Sequence, residues 1–259
     1  MPVRDTHWPH GSPCWAEAAF EPAQHSNRSM HHARDFYEKL FGWRTAEGGE
    51  ETGGYVTCLK DERAAAGFTT ELGEGERPAW TTFFATDDVD ASVSAVRDAG
   101  GTVRVAAHAV GDLGRTAVCA DPGGAHFALW QAEVHNGFGI VAEPGAVAWH
   151  TLLTRDLAVA QAFYSQVFGW VYEQRAADLS MASLADGGQV AGLHQADQLD
   201  EGISDNWLIH FEVADRDSSA QIAQNLDAEV LMTSDSPMGP EALLRGKRGE
   251  ILSIIQITD

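Results

Sequence analysis

Positive charge is scarce in this sequence. Three lysines (Lys39, Lys60 and Lys247) and 14 arginines face 38 acidic residues, and the formal charge is −21. Such a surface repels phosphate backbones and anionic headgroups, so nucleic-acid and membrane partners are not expected. Cysteine is almost as rare. Cys14, Cys58 and Cys119 are odd in number and far apart, which excludes a disulfide framework or a CxxC metal knuckle and predicts buried free thiols. No stretch approaches the roughly 20 apolar residues of a membrane span, and Met1–Thr6 carries no apolar leader core, so a cytoplasmic protein is expected. There is no GxSxG elbow, phosphate loop or dinucleotide fingerprint.

What is present is a repeat. Phe36-Tyr37-Glu38-Lys39-Leu40-Phe41-Gly42-Trp43 returns as Phe163-Tyr164-Ser165-Gln166-Val167-Phe168-Gly169-Trp170. Trp15 matches Trp149, Trp80 matches Trp207, and Gly124 through Gln131 matches Gly249 through Gln256. The offset falls from 134 (149 − 15) to 127 (207 − 80) to 125 (249 − 124), so the copies differ by loop insertions. Two domains follow, 12–133 and 146–257, joined by a linker from His135 to Gly145.

Inside each copy a smaller pattern occurs twice. A short strand (Trp15–Phe20) leads to a helix whose Ala33, Phe36, Tyr37, Leu40 and Phe41 share one face, stopped by Gly42. Strands are expected around 55–60 and 64–69. A second round opens with a strand over 81–86, an N-cap at Asp87 or Asp88, a helix over 89–99 and strands near 102–107, 115–120 and 126–131. The unit is strand-helix-strand-strand-strand, four times in the chain. Glu21 to His32, with His25, His31 and His32 among Gln24, Ser26, Asn27 and Arg28, reads as a solvated loop and not a metal tract. His7 and His10 are assigned to a frayed N-terminus.

The tandem units, the FYxxxFGW helix end and the Asp121-Pro122-Gly123-Gly124 turn before a last strand ending in Leu129-Trp130 resemble the vicinal oxygen chelate superfamily of glyoxalases, bleomycin-resistance proteins and extradiol dioxygenases. The resemblance is to its two-domain actinobacterial members and extends to an accessory, drug-binding protein of anthracycline biosynthesis. It implies an α+β fold of two tandem domains, each with two βαβββ units forming a cup-shaped mixed sheet with helices outside. Because paired domains already lie in one chain, a monomer is as compatible as a homodimer.

The resemblance also implies a metal held by the first, fifth and eighth strands of each cup. Carried across the repeat, those positions are Glu17, Phe83 and Ala128, then Thr151, His210 and Ser253. A divalent ion needs three or more converging N, O or S donors. Neither set supplies them, so no metal and no cofactor are expected. His150, adjacent to Thr151 in the strand, should point to the opposite face unless the register is slipped by one.

Counting every second residue from these positions lines the first cup with Trp15, Glu17, Ala19, Thr81, Phe83, Ala85, His126, Ala128 and Trp130. The second is lined with Trp149, Thr151, Leu153, Leu208, His210, Glu212, Ile251, Ser253 and Ile255. The first list has the character of an organic-ligand pocket. Of eight tryptophans, six form repeat pairs and read as packing residues; Trp8 and Trp130 are unpaired. The expected ligand-binding residues are therefore Trp15, Glu17, Phe83, His126, Trp130, Thr151, His210 and Ser253. The leading functional expectation is a metal-independent binder of a bulky aromatic natural product, serving drug resistance or an accessory role beside a biosynthetic enzyme. An alternative is a metal-free enzyme using Glu17 or His210 as acid or base. A metal-dependent glyoxalase or dioxygenase ranks last.

Overall fold

The structure is a computed structural model that describes residues 3–21, 23–48, 54–70, 72, 77–196 and 204–258, with the side chains of 23–29 left out. Four βαβββ units follow one another. The first is β1 (Pro13–Ala19), α1 (Ala23–Phe41), β2 (Arg44–Glu47), β3 (Val56–Lys60) and β4 (Arg63–Thr69). The second is β5 (Ala79–Ala85), α2 (Val89–Asp98), β6 (Thr102–Val110), β7 (Gly114–Ala120) and β8 (His126–Ala132). The third is β9 (Val147–Thr154), α3 (Leu157–Phe168), β10 (Val171–Ala176), β11 (Leu179–Ser183) and β12 (Gln189–Gln195). The fourth is β13 (Asn206–Glu212), α4 (Arg216–Asn225), β14 (Glu229–Ser236), β15 (Gly239–Arg245) and β16 (Ile251–Ile255).

Strands β1 to β8 form one mixed eight-stranded sheet, ordered 2-3-4-1-5-8-7-6, and β9 to β16 repeat that order in a second. Asp88, Asp156 and Asp215 cap α2, α3 and α4 by accepting backbone N–H groups of the first turn. Two features differ from the sequence reading. The His-rich stretch belongs to α1, not to a loop: Ala33, Phe36, Tyr37, Leu40 and Phe41 anchor the helix, and its N-terminal turns extend from that buried end. The N-terminus is not frayed. Val3 bridges Ile140, Arg4 donates to Gly139 O at 3.1 Å, and Trp8 Nε1 donates to Phe138 O at 3.1 Å.

The core lies between the helix-bearing faces of the two sheets. One buried cluster joins α1 and the even residues of β1 to α4 and the outer face of β13, β15 and β16; the other joins α2 to α3. The repeated motifs supply the joint. Trp43 Nε1 donates to Gly145 O at 2.6 Å and Trp170 Nε1 donates to Gly11 O at 3.0 Å, each tryptophan reaching the segment before the other domain's first strand. Gly11 and Gly145 have φ of +77° and +91°, and a Cβ would lie 2.9 Å from Phe168 and 2.5 Å from Phe41 O. Behind them, Trp80 Nε1 donates to the Tyr37 hydroxyl (3.0 Å), which donates to Glu250 across the joint (3.3 Å). Trp207 Nε1, the Tyr164 hydroxyl and Asp121 repeat this chain at 2.9 and 3.1 Å. Burial pushes the Asp121 carboxyl up to about 6 and raises that of Glu250. All three cysteines are free and buried, and no helix among the described residues is long and apolar enough to cross a membrane.

Candidate functional site

Strand register decides which side chains face each cup. In the second sheet His210 pairs with Ser253 and Trp149, while Thr151 pairs with Leu208 and Gly192, so these residues share the face away from the helices. His150 faces the opposite way, buried, with Nδ1 3.0 Å from Thr82 Oγ1 of the first domain. Burial pushes its imidazole down to about 3, so it is neutral at ordinary pH. The one-residue slip that would bring His150 into the cup is absent.

At the middle of the second cup, His210 Nε2 lies 3.0 Å from Thr151 Oγ1 and Nδ1 lies 3.6 Å from Glu241 Oε2. Ser234 Oγ donates to Glu241 Oε1 at 3.1 Å. The His210 ring and this hydroxyl hold the Glu241 carboxyl below its usual range despite partial burial. Sequence reasoning missed Glu241 because it is on the seventh strand, outside the strands to which the resemblance points for ligands. The β15–β16 pairing contained the signal: Ser253 pairs with Leu243, so Glu241, two residues on, shares its face. Around this group Trp149, Leu153, Leu179, Met181 and Leu208 are all partly exposed, while His210 and Ser253 at the centre are buried, 7% and 2% exposed.

The first cup has the same register, with Phe83 paired to Trp15 and Ala128, but it is filled. Trp15, Phe83, Ala128 and Trp130 are 3%, 8%, 0% and 7% exposed. Trp15 Nε1 donates to the Tyr55 hydroxyl at 2.7 Å. Burial, and then the nearby Glu17 carboxylate, push the Tyr55 phenol well above its usual range. The segment after β8 folds back, putting the His135 ring 4.6 Å from Trp15 and 5.8 Å from Trp130, and Phe138 5.5 Å from Trp15. Burial pushes His135 down to about 4. Glu17 and Thr81 remain partly exposed, and His126 is exposed at the sheet's end. The expected aromatic lining is therefore present, but most of it packs on itself. The pair Trp15/Trp149 splits: only Trp15 is core, and Trp149 is partly exposed.

Open volume occurs beside the starts of β1 and β9, with Trp149 and His150 but neither His210 nor Thr151 in its lining. A cavity of about 300 Å³ is bounded by Trp149 and Gln189 of the second domain and by Trp8, Pro13 and Phe138. A smaller one of about 160 Å³ adjoins Ala85 and Trp130.

The donors do not fit the divalent ion that the fold family implies. The mapped positions hold one carboxylate (Glu17) in the first cup and one imidazole between two hydroxyls (Thr151, Ser253) in the second. Both ring nitrogens of His210 are already directed at Thr151 and Glu241. Among the described residues, no three His, Cys, Asp or Glu side chains are grouped to hold a metal.

Comparison with known proteins places this geometry. Residues 5–129 match the profile of the Glyoxalase/Bleomycin resistance protein/Dioxygenase superfamily. CFP32 of Mycobacterium tuberculosis, a glyoxylase candidate by name, is 34% identical over 99% of this chain and 98% of its own length. The anthracycline biosynthesis protein DnrV of Streptomyces peucetius is 30% identical over 98% and 96%. Among solved structures, the Mn(II)-bound glyoxalase of Novosphingobium aromaticivorans superposes with a TM-score of 0.65 at 10% identity, covering 95% of this chain and 82% of that one. The 2,2',3-trihydroxybiphenyl 1,2-dioxygenase of Sphingomonas wittichii gives 0.62 at 14%, covering 96% and 92%. With full-length relatives at this identity, the chain belongs to the glyoxalase, bleomycin-resistance protein and dioxygenase superfamily.

Proposed function

We propose that this protein captures a bulky aromatic small molecule without a bound metal, and that the second cup is the capturing one. The carrying observation is the contrast at the matched indoles: Trp149 is partly exposed, with Leu153, Met181 and Leu208 around it, whereas Trp15 is 3% exposed beneath Tyr55, His135 and Phe138. Flat rings stack favourably on a partly exposed indole, and a few central polar atoms orient them. The relationship to proteins named for anthracycline biosynthesis favours an aromatic polyketide as the molecule taken up. Capture would serve resistance, or relieve a biosynthetic enzyme of its product. The relative named as a glyoxylase candidate points the other way, toward an enzyme, and a metal-dependent one is opposed by the donor set among the described residues.

Calorimetric titration with an anthracycline, run beside elemental analysis of the purified protein, tests the reading. Micromolar binding that Trp149→Ala abolishes and Phe83→Ala spares is expected, with no stoichiometric metal. Stoichiometric Fe, Mn, Ni or Zn, or no binding across a panel of aromatic polyketides, would refute it.

A further inference from the structure

We propose that the second cup accepts a proton from its ligand: it takes an aromatic molecule with an acidic hydroxyl, a phenol or hydroxyquinone, and holds it as the anion on His210, with Glu241 as the positioning residue. This rests on the second cup being the binding cup. Glu241 Oε2 faces Nδ1, and a carboxylate only accepts, so the ring hydrogen is on Nδ1. Nε2 then carries the lone pair and receives the Thr151 hydroxyl hydrogen. The ring is thereby poised as a base whose basic nitrogen faces the cup.

Nδ1 is buried and has no hydrogen-bond partner, because 3.6 Å is an ion-pair distance. Charge-assisted bonds of this kind close to about 2.8 Å. Protonating Nε2 would draw Glu241 in and complete the contact. Ser234 holds the other carboxylate oxygen in place, and Glu241 stays ionised.

A ligand hydroxyl would take the place of the Thr151 hydroxyl at Nε2. Its O–H bond breaks, the N–H bond forms on Nε2, and the electron pair stays on the ligand oxygen. Thr151 Oγ–H, freed from the ring, can turn to donate to that oxygen. The transfer is internal, so no net charge enters a protein already at −21. The first cup cannot do this: by the repeat, Phe83 stands for His210 and Thr116 for Glu241.

A hydroxyanthraquinone such as alizarin is both ligand and reporter, because its anion absorbs at longer wavelength. The full chain is titrated with it while tryptophan emission reports binding and visible absorbance reports ionisation. At fixed pH the bound dye should show an anion-to-neutral ratio about tenfold above the free dye, the scale of one nearby opposite charge. Glu241→Gln should keep the quenching and lose most of that gain, and His210→Phe should bind the neutral dye. Quenching with an unshifted spectrum, or an unchanged ratio in Glu241→Gln, overturns the proton transfer but leaves capture standing. Absence of quenching overturns both.

Discussion

The two cups share strand order and register and both bury their centres (Phe83 8% and Ala128 0% exposed in the first, His210 7% and Ser253 2% in the second), yet Trp15 is covered and its counterpart Trp149 is partly exposed. The divergence comes from a few positions. In the first cup Tyr55 reaches over Gly67 to accept from Trp15, and the chain after β8 lays His135 and Phe138 against the same indole. In the second, Leu179 occupies the strand position corresponding to Tyr55, and residues after β16 run beside Met238 and Pro240, away from the cup. A duplicated fold can thus cover one indole and leave its counterpart accessible, because the face opposite the helices need not be filled for the sheet to form.

The largest effect that would break this comparison is expected at equivalent depths of the two cups. Phe83→Ala removes a nearly buried ring and should cost about 3–5 kcal/mol in urea unfolding. Trp149→Ala should cost less than half of that and instead lose ligand. Equal stability losses would mean the second cup is also core.

Where the domains meet, the halves resemble each other, and the buried carboxylates allow a pH test. Asp121 has its pKa raised from 3.8 to about 6, so between those values the native state holds a proton that the unfolded chain has released. Stability from this group is fully present below 3.8 and is lost as pH rises through about 6, a loss on the order of 2–3 kcal/mol by neutral pH. Asp121→Asn should remove that decline, seen as a gain relative to the parent between pH 4 and 7 in urea midpoints. A constant difference across the window would contradict the burial argument.

A smaller contrast concerns the cup floors. A Cβ on Gly67 would lie 1.9 Å from the Tyr55 hydroxyl oxygen, whereas one on Gly192 meets nothing nearer than 3.4 Å. Gly67→Ala should cost about 1–3 kcal/mol, recovered in part by Tyr55→Ala, and Gly192→Ala under about 1 kcal/mol. Thermal unfolding of the three variants tests the pair.

The smallest effect is at the asymmetric contact between the sheets. Thr82→Val leaves His150 Nδ1 without its partner and should cost about 1 kcal/mol, while Thr82→Val with His150→Leu should be nearly neutral. A double-mutant cycle on denaturation midpoints measures this.

Much of the fold was legible in the sequence because it rests on periodicity. The repeat offsets located equivalent strands, period-two counting put Thr151, His210 and Ser253 on one face, and the pair Asp87-Asp88 marked a helix start, with Asp88 the cap. The same reasoning missed the extension of α1 through His31 and His32, because polar residues at a helix's exposed beginning look like loop. It missed Glu241 because the resemblance directed attention to other strands, and the seventh strand enters the site only through its pairing with β16. It read the FYxxxFGW and DPGG motifs as a helix stop and a turn, although Trp43, Trp170, Tyr37, Tyr164 and Asp121 all act across the domain joint.

The sequence by itself determined the four units, their strand faces and the poverty of metal donors, since these follow from local alternation and residue chemistry. Only the tertiary structure decided which tryptophan is covered and what His210 faces. Those depend on where distant segments, Tyr55, residues 133–138 and strand β15, come to rest against a face, and no local pattern encodes a contact between elements so far apart in the chain.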